Sequence, residues 1–203
     1  MNRETLVDDS DISSRIEKFK DILGSHEHEE VIVQKHIVHG TPYVFRNDED
    51  KYFDLKREIA THFSTHYTNI HMVGSAKLGF SIAPQKLWQP FTIESDIDIA
   101  IVSTRLFEKS WGSIHDFNIE LTNRTGNQDK KYGQFIDYLF KGWIRPDLFP
   151  FKYPLKTEWF DFFKSISYKN YGPQKITGAL YHSFNFFEKY HIANIAKMRI
   201  GDQ

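Results

Sequence analysis

The chain of 203 residues contains no cysteine, so disulfide frameworks, thiolate nucleophiles and cysteine-held metals are excluded at once. Its net charge is only −1, which gives no overall attraction to nucleic acid or to an anionic membrane. No apolar run approaches the roughly 18 residues of a membrane span. The opening Met1-Asn-Arg-Glu-Thr-Leu-Val-Asp-Asp9 is polar and acidic rather than a signal peptide. Internal repeats and low-complexity tracts are missing as well. These absences lead to the expectation of a soluble, cytoplasmic protein with no membrane partner.

What is abundant is aromatic. Eighteen Phe and ten Tyr accompany a hydrophobic content of 40%, ample for the core of one domain of this length. Some of that surface is left to pack a second layer or a protein partner. Charge is unevenly spread: residues 1–103 carry 11 basic and 17 acidic groups, residues 104–203 carry 15 and 10. A basic second half facing an acidic metal site suits a triphosphate, while scattered solvated lysines are the commoner origin of such an imbalance.

The densest chemical signal is Glu94-Ser-Asp-Ile-Asp-Ile-Ala-Ile-Val102. On a β-strand, residues two apart share a face, so Asp96 and Asp98 project together while Ile97 and Ile99 point the other way. Two adjacent carboxylates repel unless a cation sits between them. Hard divalent ions take such oxygen ligands and commonly bridge to substrate phosphates. Upstream, Ile70-His-Met-Val-Gly-Ser-Ala-Lys-Leu-Gly79 is an apolar run broken at Gly74-Ser75. A glycine bend beside a hydroxyl lets the backbone approach a phosphate closely. The spacing Gly74-x-x-x-x-Gly79 is that of a P-loop, but Phe80 stands where the phosphate-binding lysine is required, which argues against a Walker-type NTPase. A dinucleotide-binding glycine fingerprint is incomplete too. Lys77 stays open between a phosphate contact and an exposed side chain.

In this order, Val73-Gly74-Ser75 followed by Asp96-Ile97-Asp98-Ile99 resembles the nucleotidyltransferase superfamily, which includes DNA polymerase beta, the minimal nucleotidyltransferases and the cyclic-oligonucleotide synthases. The resemblance covers residues 50–102. It implies an α+β fold, a small mixed sheet with flanking helices. It also implies that Gly74 and Ser75 contact a triphosphate and that Asp96 and Asp98 hold two Mg²⁺ (or Mn²⁺) ions. The implied reaction moves an NMP from an NTP to a hydroxyl acceptor (a nucleotide, an RNA end, a protein or a small molecule) and releases pyrophosphate. Stand-alone members of this size suggest a bacterial toxin–antitoxin or phage-defence setting. The alternative is an inactive nucleotidyltransferase-fold protein that binds nucleotide or regulates. Two departures stand out. The gap of 20 residues between Ser75 and Asp96 implies an insertion over Phe80–Ile93. The family's third carboxylate has two candidates, Asp137 and Asp147, and neither is chosen.

The remaining pattern divides the chain into a core at 1–103 and a helical part at 104–203. Ile12, Ile16, Phe19, Ile22 and Leu23 form one helical stripe ending at Gly24. Val31–Val38 reads as a strand, and Gly40–Phe45 as a turn with a short extended piece. Asn47–Asp50 opens a helix with Phe53, Leu55, Ile59 and Phe63 inward. Ser103 or Thr104 caps the next, with Leu106, Phe107, Trp111, Ile114 and Phe117 inward. Residues 123–131 read as a polar loop, Gln134–Trp143 as a helix and Glu158–Ile166 as a short aromatic segment. Pro173 opens a long helix carrying Ile176, Leu180, Phe184, Phe187, His191 and Ile195. His26 and His28 read as solvated, His62 and His66 as surface or capped, and His191 as a core side chain.

Overall fold

The computed structural model describes residues 9–119 and 124–201. The acidic segment 1–8 and Asn123 lie outside the described residues. The fold is α+β: eight α-helices surround one mixed sheet of four strands among the described residues. No helix among them is long and apolar enough to cross a membrane.

Helix α1 (Asp9–Gly24) buries Ile12, Phe19 and Leu23, the expected stripe. A short α2 (Glu29–Ile32) then runs into a π-helical turn, Val33–Val38, where a strand was expected. The β-branched residues there favour a strand locally. Yet Ile32, Val33 and Ile37 are buried in a cluster with Phe187 and Ile195 of the last helix, and helical spacing alone brings them to one side. Arg199 locks this contact by donating to Glu29 Oε1 at 2.6 Å and to the carbonyl of Glu27 at 2.6 Å. Helix α3 (Glu49–His62) starts at Asp48, whose carboxylate accepts from the Lys51 N–H at 3.0 Å. It buries Leu55 and Ile59, but Phe53, expected inward, is 44% exposed.

Strand β1 (Ile70–Val73) leads directly into α4 (Gly74–Leu78), and β2 covers Ile97–Val102. Helix α5 (Thr104–Ile119) buries Leu106, Phe107 and Ile114 while Trp111 is 50% exposed, against expectation. Helix α6 (Gly126–Phe140) begins inside the expected polar loop, because Thr125 and Gln128 form a reciprocal capping box. Strand β3 (Trp143–Ile144) and helix α7 (Pro154–Ile166) follow.

The largest correction concerns the final segment. Ile176–Tyr181 is strand β4, and the last helix, α8, covers only Phe184–Gly201. The spacing of Ile176 and Leu180 satisfies a helix, but the same residues alternate with period two. Gly178 and the β-branched Ile176 and Thr177 disfavour the helix. The second part of the chain is therefore helical except for two strands, which it supplies to the shared sheet.

The strand order is β1-β2-β4-β3, with β2 and β4 parallel and both outer pairs antiparallel. One face presents Ile70, Met72, Ile97, Ile99, Ile101, Ile176 and Leu180 to α3, α5 and α7. The other presents Val73, Ala100, Val102, Trp143 and Tyr181 to α1, α2 and α8. Gly178 has no room for a side chain, since an added Cβ would lie 2.2 Å from Phe163 Cζ of α7.

Two outcomes follow from this packing. Gly178→Ala is expected to destabilise the fold by about 1–3 kcal/mol, as overpacking does, with partial recovery in the double variant carrying Phe163→Leu; urea denaturation reads both. His191, buried beside Phe187 and Tyr181, has its pKa lowered by burial from 6.5 to about 4, and His71 behaves alike. The folded state holds both neutral while the unfolded chain protonates near pH 6.5. Stability is then full above pH 6.5 and falls as the pH drops towards 4, by on the order of 2–3 kcal/mol per group. In thermal melts across that range, His191→Phe should flatten the slope.

Candidate functional site

The register of β1 against β2 pairs Val73 with Asp98, so the chain reaches its Gly-Ser bend directly beside that carboxylate. Gly74 adopts φ +68°, a left-handed conformation that side chains disfavour. An added Cβ would also come to 3.0 Å from Asp98 Oδ2. The conformation demands glycine here, and an added side chain would also press on the Asp98 carboxylate. Ser75 follows on the first turn of α4, half-buried, with no hydrogen-bond partner for its hydroxyl among the described residues. The two elements picked from the sequence, the bend and the acidic strand, thus meet.

Asp98 is half-buried, and its two oxygens have different surroundings. Oδ1 accepts a hydrogen bond of 2.7 Å from Thr177 Oγ1, the in-register residue on β4, while Oδ2 faces the Gly74 bend. Burial raises the pKa of this carboxyl group; the Thr177 hydrogen bond opposes the shift and the charge of Asp96 adds to it. Arg145 and Lys175 favour its ionised form. Asp96 sits one residue before β2, and its side chain is 45% exposed. Lys175 Nζ lies 3.8 Å from its Oδ2, and the Lys175 carbonyl accepts from the Ile97 N–H at 2.8 Å. The two aspartates therefore differ: one is a rim group, the other is set into the sheet.

Neither sequence candidate for a third carboxylate joins them. Asp137 lies on the exposed side of α6, and Asp147 is paired with Arg145 at 2.7 Å. The strand position next to Asp98 belongs to Thr177, which the sequence reading missed because it assigned 176–181 to a helix. An extended reading of Ile-Thr-Gly-Ala-Leu-Tyr, with Thr177 and Ala179 on one face, is the signal that could have found it. Lys77 is settled too. It is buried, and its ammonium donates to the carbonyls of His39 and Gly40 at 2.5 Å each, so it is a structural tie and not a phosphate contact. Burial lowers its pKa to about 8.

The long connection to Asp96 is an ordered excursion. It is closed by Phe91 N–H to the Gly79 carbonyl at 2.8 Å and Ser81 N–H to the Gln89 carbonyl at 2.8 Å. Trp88 packs its ring against Phe19 of α1 and Phe80. A Thr92–Ser95 turn then delivers Asp96 to the rim. His26 and His28 are exposed; His62 stacks on Phe162, and His66 accepts from the Thr68 N–H. Among the described residues, no group of three or more Asp, Glu, His or Cys side chains is placed to hold a metal.

A donor set of two carboxylates, one with an oxygen turned to a glycine bend, fits a hard divalent ion whose other positions go to water and phosphate oxygens. It does not complete an all-protein cage. Comparison with protein-family models, with curated proteins and with solved structures finds no match in any of the three.

Thr177→Val keeps the branched shape and deletes the bond to Asp98. It is expected to cost about 1–2 kcal/mol of stability, whereas Thr177→Ser stays close to the parent. Equal denaturation midpoints for parent and Val variant would show that the hydroxyl does not hold Asp98.

Proposed function

We propose that this chain is a cytoplasmic, metal-dependent nucleotidyltransferase that transfers an NMP from an NTP to a hydroxyl acceptor. The observation that supports it best is the closure of the Gly74 bend onto Asp98 Oδ2, which brings a glycine backbone free of any side chain and a carboxylate oxygen suited to a hard ion to one place. Asp98 and Asp96 are the residues that would hold Mg²⁺ or Mn²⁺. Such an ion, when bound, neutralises the triphosphate and stabilises charge as the phosphoryl centre is displaced. Gly74 leaves the backbone uncovered for close approach of the β- and γ-phosphates, and Ser75 offers an uncommitted hydroxyl beside it. Thr177 orients Asp98 by holding Oδ1. In the transfer itself, the acceptor oxygen bonds to the α-phosphorus as the bond to pyrophosphate breaks, and the acceptor proton leaves to water.

One observation favours a second reading, a nucleotide-binding or regulatory protein without turnover. The neighbouring strand presents a hydroxyl, Thr177, where a further carboxylate would complete a two-ion site. The two readings separate in one experiment. With a panel of NTPs, Mg²⁺ or Mn²⁺ and candidate acceptors, the transferase releases pyrophosphate, and Asp98→Asn reduces release at least about a hundredfold. That variant must keep its circular dichroism spectrum and melting temperature. A binder instead shows a rise in melting temperature with Mg-NTP, since a ligand selective for the folded state stabilises it, but no pyrophosphate with any acceptor. Neither signal from any NTP would end both readings.

A further inference from the structure

We propose that Arg145 is the side chain that grips the polyphosphate of the nucleotide, from the strand edge across the sheet from Asp98. The inference rests on the nucleotide reading above and adds a residue and a polarity to it.

Strand β3 pairs Trp143 with Tyr181 and Ile144 with Leu180 of β4. Arg145 directly follows β3 and its guanidinium lies near the ring of Trp143, whose face of the sheet also carries Tyr181, Thr177 and Asp98. Between Arg145 and Asp98 that face carries small side chains, Ala100, Ala179 and Thr177, of which Ala179 and Thr177 retain solvent access. Only small side chains therefore separate the two groups on this face. Asp98 and the Gly74 bend lie to one side of them and Arg145 to the other.

The guanidinium is held before any ligand arrives. It lies 5.3 Å from the centre of the Tyr138 ring and 5.5 Å from that of Trp143. Trp143 is itself stacked on Tyr181 and met edge-on by Tyr138 and Tyr190. Asp147 holds the outer edge of the fork, with Nε and Nη2 donating at 3.2 and 2.7 Å. An exposed ion pair of this kind contributes little to stability by itself. Two aromatic side chains (Trp143 packed in turn on Tyr181 and Tyr190) and a carboxylate make a rigid, oriented cation, and a guanidinium is suited to phosphate oxygens. A surface that is acidic on one side and cationic on the other matches a metal–polyphosphate pair. Asp98 would hold the metal, and Arg145 grips the polyphosphate oxygens that point away from the Gly74 bend.

Calorimetric titrations with Mg-NTP, with tripolyphosphate plus Mg²⁺, and with the free nucleoside test this on the full chain. Arg145→Ala should weaken NTP and tripolyphosphate binding roughly tenfold to hundredfold, the loss expected for charge-assisted hydrogen bonds. Nucleoside affinity should not change, nor should Mn²⁺ binding to the ligand-free protein, read by electron paramagnetic resonance. Arg145→Lys, which keeps the charge and loses the fork, should fall between parent and Ala variant and guards against a folding defect. Unchanged tripolyphosphate affinity in Arg145→Ala, while Asp98→Asn abolishes NTP binding, would overturn this inference and leave the nucleotide reading standing. An equal loss for nucleoside and tripolyphosphate would also overturn it, assigning Arg145 to the base or to the fold. A parent protein that binds neither NTP nor tripolyphosphate would remove both.

Discussion

The parallel pairing of β2 with β4 is the constraint on which the rest of this structure depends. It joins residues from the two parts of the chain over the register Ile97–Val102 against Ile176–Tyr181. Such a pairing needs a long crossover, and here the crossover is most of the second part: α5, α6, β3 and α7. Without that register there is no partner for Asp98 Oδ1, no floor beside the acidic strand, and no strand on which to hang Arg145. Stability and site geometry are therefore properties of one contact.

Around that pair the sheet separates its tasks by face. The Ile-rich face is covered by α3, α5 and α7 and is sealed by aromatic side chains, down to Gly178 lying directly under the Phe163 ring. The opposite face is only partly covered. Helix α8 lays Phe187 over Ala100, Val102 and Tyr181, and the small residues towards Asp98 are left accessible. A half-buried carboxylate can persist there because its neighbours favour it: a threonine hydroxyl on one oxygen and two cationic side chains within electrostatic reach. The aromatic wealth of the composition also finds a use, since rings both fill the core and orient the arginine beside the open part of this face.

Much was legible in the residues alone. Stripes at helical spacing placed α1 and α3, and the capping Asp48 marked where α3 begins. Asp96, Asp98 and the Gly74 bend could be read because each is a local pattern: alternation along a strand, and a glycine where an apolar run breaks. The failures are equally local in cause. Val31–Val38 has strand composition, but its burial partners lie on α8, so packing overrode propensity. Ile176 and Leu180 fit both periods, and only a neighbouring strand edge selects between them.

The amino-acid sequence by itself determined the chemistry on offer: hard oxygen ligands, a glycine bend, no thiols, and enough apolar and aromatic matter to fold. Tertiary structure alone decided which groups meet. It turned Lys77 inward onto two carbonyls, left Asp137 in solvent and Asp147 on Arg145, and brought Thr177 across 79 residues to hold Asp98. The physical reason is that side-chain type and local periodicity are written within a few neighbouring residues. Strand register and the choice of hydrogen-bond partner are settled only when distant backbones satisfy one another.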